Sequence, residues 1–290
     1  MSDPDRRWLE FSVRSPSAEE SIPLLAEGLV ALGGRAVVEQ DGWCVTHVPE
    51  PHDPQGFVET ARERLVELTG LSDLEVQTRW QAHEDWAETW KRGLAPRRIT
   101  SRIVVRPSWT EFSPDPDDLV IVLDPGMAFG TAEHGTTRGC LRLLDGMVAE
   151  GDRVLDVGAG SGILSVAAVM LGAQHVTAIE SDPLSSEALE ENVANNGAAS
   201  SVRVLIESAD PAKLAAWGPV DGIVANIETG LLRPLLEGFR NAVRVGGWLL
   251  LSGILDEEAD EMTEDVVALG FEFVEMDSDG EWRSLHFLRV

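Results

Sequence analysis

The stretch from Val154 to Gly162, with the sequence VLDVGAGSG, constrains the fold of this chain more than any other part of it. Apolar strand residues run into three glycines at alternate positions, and a helix that is apolar all round follows from Ile163. Glycines let the backbone turn sharply and let a ligand lie against the main chain. The helix that follows offers free N–H groups and the positive end of its dipole. The pattern therefore predicts a strand, a ligand-binding loop and a helix.

The spacing of the glycines separates this loop from a dinucleotide-binding loop. A dinucleotide fingerprint reads G-x-G-x-x-G, whereas Gly158, Gly160 and Gly162 stand at strictly alternate positions. Asp156 precedes them, where a carboxylate would repel a pyrophosphate but can accept a hydrogen bond from the ammonium of a methionine moiety. Glu180 ends the next predicted strand and can accept both ribose hydroxyls of an adenosine. Together these residues predict a binding site for S-adenosylmethionine.

The order of the predicted elements after residue 151 indicates the fold around this loop. Strands and helices alternate up to the strand from Trp248 to Ser252 and the helix after it, which is typical of a mostly parallel sheet with helices on both faces. Two final strands, Phe271 to Met276 and Trp282 to Leu288, are joined by a short turn and indicate an antiparallel hairpin at one edge. We therefore expect an α/β, Rossmann-like domain over residues 98–290, with a mostly parallel seven-stranded sheet and an antiparallel edge hairpin.

The first 80 residues have a different pattern. Strand, helix, strand, strand, helix and strand are predicted in that order, with the first helix at Ala18 to Leu32 and a hairpin turn at Asp41-Gly42. This is the ferredoxin-like order, so we expect a small ferredoxin-like α+β domain over residues 1–80. Residues 82–94 have the spacing of a short amphipathic helix, and we expect residues 81–97 to form a linker helix between the two domains.

Charge and cysteine content narrow the classes of partner. The formal net charge is -27 at pH 7, so the phosphates of DNA would be repelled. A basic protein could be steered in by this field, but only Lys91 and Lys213 are lysines among 23 basic residues, which favours adaptation to high salt. Cys44 and Cys140 fit no disulfide framework or metal-ligand spacing, and no run approaches the ~18 apolar residues of a membrane span. We expect a cytoplasmic monomer without metal, DNA or membrane partners.

Several further segments have a recognisable sequence. They are Glu84 to Lys91, Arg106 to Trp109, Leu123 to Thr137 (LDPGMAFGTAEHGTT), Val224 to Ile227 (VANI), Leu251 to Leu255 (LSGIL) and Glu281-Trp282. Together they closely resemble the ribosomal protein L-eleven methyltransferase family (PrmA type). The resemblance covers most of the chain from about residue 83 to the end and is weaker before it. It implies a two-domain enzyme whose N-terminal domain recognises the ribosomal protein and whose class I methyltransferase domain trimethylates lysine ε-amino groups and the N-terminal α-amino group.

The resemblance also implies roles for single residues. Thr137 is similar to the threonine that contacts the cofactor, Gly158 to the first loop glycine, and Glu180 to the ribose-binding acid, which is usually aspartate in the family. Asn226 is similar to the asparagine after the fourth strand, and we count it among the residues expected to bind the cofactor. It also begins a motif whose carbonyls can orient the acceptor nitrogen. Glu228 departs from the family pattern, where leucine is usual, and could attract a lysine ammonium or disturb a packed position.

The sequence thus predicts an S-adenosylmethionine-dependent methyltransferase that acts on amino groups of a basic protein of the large ribosomal subunit. A class I methyltransferase for RNA or a small molecule is the alternative, because the first 80 residues match the family less well. A binding module without activity is a third hypothesis, which the intact loop, Glu180 and Asn226 disfavour. His134 has a free pKa suited to a base, but a lone histidine is more often structural, so we assign no catalytic residue.

Overall fold

The computed structural model describes residues 8–16, 25, 29, 35–40, 42–49, 51, 53–71, 73–81, 95–124, 132 and 134–290. The chain divides into two compact units, Met1–Leu94 and Ala95–Val290. The linker helix predicted at residues 82–94 lies outside the described residues, as does most of the helix predicted at residues 18–32. Within the described ranges, no helix is long and apolar enough to cross a membrane.

The N-terminal unit has an antiparallel sheet with the strand order of a ferredoxin-like fold, as the sequence pattern predicts. Its strands are arranged in the order β2-β3-β1-β4, and its helix α1 connects β3 to β4. Helix α1 begins after Asp53, whose side chain accepts a hydrogen bond from the backbone N–H of Gly56, and it ends at Gly70. The elements are β1 (Trp8–Arg14), β2 (Arg35–Gln40), β3 (Trp43–Pro49), α1 (Pro54–Thr69) and β4 (Glu75–Gln81).

The second unit is built on a seven-stranded sheet in the order β10-β9-β8-β11-β12-β14-β13, next to a small sheet in the order β5-β6-β7. In the large sheet, β14 is antiparallel to both of its neighbours, and the pairs from β10 to β12 are parallel. The predicted fold class is therefore confirmed, including the hairpin at the edge. The strands are β5 (Arg97–Arg98), β6 (Ile103–Arg106), β7 (Leu119–Val122), β8 (Arg153–Val157), β9 (His175–Glu180), β10 (Val202–Ile206), β11 (Val220–Asn226), β12 (Val243–Leu255), β13 (Phe271–Asp279) and β14 (Trp282–Arg289).

The helices of this unit cover both faces of the large sheet. Successive side chains of a strand point to opposite faces of the sheet, so β8 has apolar side chains on both faces that need to be covered. Val154 belongs to the apolar layer on one face and Leu155 to the layer on the other. The first layer is formed with α2, α3 and α4, and the second with α5, α7 and α8. The helices are α2 (Gly135–Met147), α3 (Ile163–Leu171), α4 (Ser186–Asn195), α5 (Pro211–Trp217), α6 (Thr229–Leu232), α7 (Leu236–Ala242) and α8 (Ala259–Ala268).

Strand β12 and helix α5 are among the elements that differ from the sequence-based expectation. Strand β12 is much longer than the predicted segment from Trp248 to Ser252. It begins at Val243, which pairs with Val220 of β11, and beyond Ser252 it continues through a bend and pairs with β14. Helix α5 has no counterpart among the predicted elements. It is specified by local signals that the apolar pattern does not contain, since the Asp210 side chain accepts a hydrogen bond from the N–H of Lys213 and a proline occupies the first turn.

Candidate functional site

Three neighbouring parallel strands end side by side at one edge of the large sheet. Val157 of β8 is in register with Ile179 of β9 and with Ala225 of β11. The next residue in each strand is therefore Gly158, Glu180 or Asn226, so the three predicted residues lie in one row. Ligands of open α/β sheets bind in the crevice at the carboxyl ends of the strands, which makes this row the candidate site.

The loop after β8 requires glycine for two separate reasons. Gly158, Gly160 and Gly162 have φ angles of 78, 53 and 81°, in the left-handed region that other residues rarely adopt. A Cβ atom on Gly158 would also lie only 2.3 Å from Cγ2 of Ile227, the residue after Asn226. The loop thus packs directly against the end of β11, and its shape leaves no room for a side chain.

Asp156 is a buried carboxylate on the same face of β8 as Val154, toward α3. Its Oδ2 accepts a 2.6 Å hydrogen bond from the hydroxyl of Ser165. Its Oδ1 is buried and has no hydrogen-bond partner in the part of the chain that the structure describes. Burial raises the pKa of Asp156 to about 6, the Ser165 hydrogen bond opposes the rise, and the nearby Glu180 charge adds to it. A cationic group would stabilise the ionised form.

Glu180 anchors the glycine loop to the end of β9. Its Oε2 accepts a 2.9 Å hydrogen bond from the N–H of Gly160, and its Oε1 accepts a 2.8 Å hydrogen bond from the N–H of Asp182. Each carboxylate oxygen can accept more than one hydrogen bond, so both retain capacity for hydroxyl donors. The side chain that the sequence analysis assigned to a ribose therefore also holds the loop in shape.

Asn226 and Thr137 bring the end of β11 and the first turn of α2 together. Both residues are buried, and the Asn226 amide nitrogen donates to the Thr137 hydroxyl at 3.5 Å. The Asn226 Oδ1 is the second oxygen of this site that is buried without a hydrogen-bond partner among the described residues. Within the described ranges, the site therefore has one unused hydrogen-bond acceptor on β8, which leads into the glycine loop, and one at the end of β11.

His134 lies immediately before α2 and is engaged in local contacts. Its Nδ1 lies 2.7 Å from the Thr136 hydroxyl, and its ring centroid lies 5.0 Å from that of Trp282. Burial lowers the pKa of His134, and the charge of Arg138 lowers it further. These contacts agree with a structural histidine, and we assign it no catalytic role.

Glu228 is exposed and precedes α6, two residues beyond Asn226.

Sequence analysis missed two polar residues that support the loop. Asn192 of α4 is buried, donates to the Ser161 carbonyl at 3.0 Å and accepts from the Asp124 N–H at 3.0 Å, which ties the loop to the chain after β7. Ser165 orients Asp156. The sequence did contain a sign of both residues. Each is a polar residue inside a predicted helix, at a position where apolar or strongly helix-forming residues are expected.

The chemistry of this set of residues is binding and positioning. Two carboxylates, an amide, a hydroxyl and backbone N–H groups converge at the strand ends, and no group of three His, Cys, Asp or Glu side chains that could hold a metal ion occurs in the described ranges. Such a site suits a ligand that carries both a cationic group and hydroxyl groups.

Comparisons with known proteins agree with this geometry. The family model described as "Ribosomal protein L11 methyltransferase (PrmA)" matches residues 34–289. A ribosomal protein L11 methyltransferase of Pelotomaculum thermopropionicum is 36% identical, over 96% of this chain and 97% of the relative. One from Geobacter metallireducens is 37% identical, over 97% and 98%. The crystal structure of a ribosomal protein L11 methylase from Lactobacillus delbrueckii subsp. bulgaricus is 31% identical, with a TM-score of 0.58 over 67% of this chain and 98% of its own. The chain therefore belongs to the ribosomal protein L11 methyltransferase family.

Proposed function

We propose that this protein transfers methyl groups from S-adenosylmethionine to lysine ε-amino groups and the N-terminal α-amino group of ribosomal protein L11. The observation that carries the proposal is that two buried oxygens of the site, Asp156 Oδ1 and Asn226 Oδ1, have no hydrogen-bond partner among the described residues. Unpaired buried acceptors are unfavourable, so they favour a ligand that donates hydrogen bonds to them. The names of the relatives supply the identity of the methylated protein.

The residues at the strand ends fit S-adenosylmethionine group by group. The Asp156 carboxylate would accept from the methionine ammonium, and the remaining lone pairs of Glu180 would accept from the ribose hydroxyls. Gly158, Gly160 and Gly162 form a wall without side chains against which the molecule would lie. When bound, S-adenosylmethionine supplies a methyl group activated by a positively charged sulfur.

The acceptor side of the reaction needs a neutral amine in a defined position. A lysine amine has a pKa near 10.4 and an α-amine roughly 7.7–8.0, so both arrive largely protonated at neutral pH. Desolvation in a buried site lowers the pKa of an ammonium and helps it lose its proton to water. The Asn226 amide oxygen would then accept an N–H of the amine and direct its lone pair, and such positioning accounts for much of the rate enhancement.

The two units of the chain have separate roles in this proposal. Residues 1–80 would recognise the ribosomal protein, residues 81–97 would join the units, and residues 98–290 would carry out the transfer. The exposed Glu228 lies near the acceptor side and would attract a lysine ammonium of the incoming substrate. The alternative acceptors, RNA and small molecules, are distinguished by the experiment below.

The test is methyl transfer from labelled S-adenosylmethionine to purified L11, to total ribosomal RNA and to a small-molecule pool, at low and high salt. We expect label on L11 alone, and mass spectrometry of the product should locate it on amino groups. Asn226→Ala should lower the rate at least about tenfold, because the acceptor loses its hydrogen-bond partner. The matched control is Asn241→Ala, an exposed asparagine of α7. Label on RNA, or full activity of the Asn226 variant, would contradict the proposal.

A further inference from the structure

The segment from Leu251 to Leu255, LSGIL, was assigned no role in the site described above. It nevertheless contacts Ile227, which follows β11, and the first turn of α2. It forms the bend in β12, and the register of β12 against β14 shifts between Leu251 and Ile254. Gly253 lies within the bend and has a φ angle of 83°. Its residues therefore adopt a special backbone conformation directly beside the end of β11.

The contact between Gly253 and Ile227 leaves no space for a side chain. A Cβ atom on Gly253 would lie 2.4 Å from the Ile227 carbonyl oxygen, 2.7 Å from its carbonyl carbon and 3.2 Å from its nitrogen. These are backbone atoms, so they cannot move aside as the end of a flexible side chain can. On its other side, Ile227 packs its Cγ2 into the space left by the missing Cβ of Gly158. Ile227 is thus held between Gly158 of the loop after β8 and Gly253 of β12.

The same bend also contacts the first turn of α2. The hydroxyl of Ser252 is buried, donates to the Thr136 carbonyl at 3.3 Å and lies 2.7 Å from the Ser284 hydroxyl. Thr136 precedes Thr137, the partner of Asn226. Adjacent residues of the bend therefore hold both sides of the Asn226–Thr137 contact.

A side-chain hydrogen bond also fixes Thr229, two residues after Ile227, to the residues that follow β12. The Thr229 hydroxyl donates to Oε2 of Glu258 at 2.7 Å, and the same oxygen accepts from the N–H of Leu255 at 3.1 Å. Glu258 thereby links the start of α6 to the end of β12. The short segment from Asn226 to Thr229 is fixed at both of its ends.

We propose that Gly253 is a positioning residue: by admitting the Ile227 peptide against the bend of β12, it sets where Asn226 and the adjoining backbone hold the acceptor nitrogen. The inference rests on the proposed function and deepens it, because it concerns the acceptor side of the same site. Misplacement of a reacting group by about 1 Å can lower a rate on the order of 100-fold. An added methyl group at residue 253 forces a displacement of that kind on Ile227.

The test compares Gly253→Ala with Gly270→Ala in steady-state kinetics on L11. Gly270 has a φ angle of 86°, but a Cβ atom there would meet nothing within 4 Å, so this control shares the backbone strain and lacks the contact. We expect kcat of Gly253→Ala to fall about 10- to 100-fold below that of the control. The Kd for S-adenosylmethionine should rise by a smaller factor than kcat falls, because the bend meets the Ile227 backbone beside Asn226 directly and meets the glycine loop through the Ile227 side chain. Mass spectrometry should show more incompletely methylated product.

Several outcomes would overturn the inference. Equal kcat values for the two alanine variants would show that the contact does not matter, and loss of cofactor affinity with kcat unchanged would assign the bend to the cofactor side. If Gly253→Ala does not fold, Thr229→Val tests the same segment: its kcat should fall at least about fivefold and recover in Thr229→Ser, which keeps the hydroxyl. A Thr229→Val variant with normal kcat would contradict the inference. Wild-type protein that labels no L11 would instead refute the proposed function, and the inference with it.

Discussion

Replacement of Asp156 by asparagine gives the sharpest test of how the site binds its cofactor. Burial raises the pKa of Asp156 to about 6, so this carboxyl titrates in an accessible range. The methionine ammonium would bind the ionised form, and its affinity should fall as the pH decreases through about 6. With that pKa, the ionised fraction is about tenfold smaller at pH 5 than at pH 7, and the Kd for S-adenosylmethionine should rise by about the same factor. Above pH roughly 8 the cofactor amine itself loses its proton, so affinity should be greatest between these limits.

The assay is isothermal titration calorimetry of S-adenosylmethionine at a series of pH values, with circular dichroism to show that the protein stays folded. Asp156→Asn should bind more weakly at pH 7 and should lose the dependence below pH 7. Asp117→Asn, which alters an exposed aspartate, should retain the wild-type profile. A wild-type Kd that is constant from pH 7 to pH 5, or an unchanged profile in Asp156→Asn, would refute the reasoning.

Ionisation of Asp156 should also lower the free energy of unfolding of the cofactor-free protein. The carboxyl ionises near 3.8 when the chain is unfolded and near 6 when it is folded, so the cofactor-free fold loses stability as the pH rises between these values. At full ionisation the loss is about 3 kcal/mol. Cofactor-free Asp156→Asn should therefore unfold at a higher urea concentration than wild type at pH 7.5, and the advantage should disappear below pH 4. An advantage of the same size at both pH values would show that ionisation is not its cause.

Two further changes test charges elsewhere in the second unit. Arg142 of α2 forms ion pairs of 2.6 and 2.9 Å with Asp277 and Asp279 of β13. Arg142→Leu should therefore lower the free energy of unfolding by about 1–2 kcal/mol, and by less at high salt. Urea unfolding at two salt concentrations measures this, and an unchanged free energy would show that desolvation of the charges cancels the gain from the ion pairs. Glu228→Leu should raise KM for L11 severalfold at low salt and leave kcat within about twofold. The reason is that an exposed carboxylate attracts a cationic substrate and that salt screens this attraction. An unchanged KM at low salt would exclude this role.

The apolar alternation and the glycine loop were sufficient to predict the parallel sheet and a cofactor site that includes Gly158 and Glu180, whereas Asn226 was predicted from the family resemblance. This is possible because the carboxyl ends of adjacent parallel strands must meet, whatever the details of packing. The edge hairpin follows from the same local patterns, but the order of the strands in the sheet was not predicted from them.

The contacts that shape the site could not be predicted in the same way. Asn192, Ser165 and the bend at Gly253 act through side-chain hydrogen bonds and close backbone approaches between segments far apart in sequence. Neither periodicity nor composition contains that information. Local propensity also fails at α5, which depends on the side-chain cap of Asp210.

The position of β14 determines the order in which the large sheet can be completed. Strands β8 to β12 can pair with one another as soon as residues up to Leu255 have been synthesised, but β13 reaches the sheet only through β14, which lies between it and β12. Until Trp282–Arg289 has left the exit tunnel, the apolar edge strand that contains Leu249, Leu250 and Leu251 has no neighbour on that side. Open edges of this kind recruit strands from other chains. Nascent chains in which Trp282–Arg289 is still missing or inside the tunnel should therefore depend on chaperones more than the released protein does.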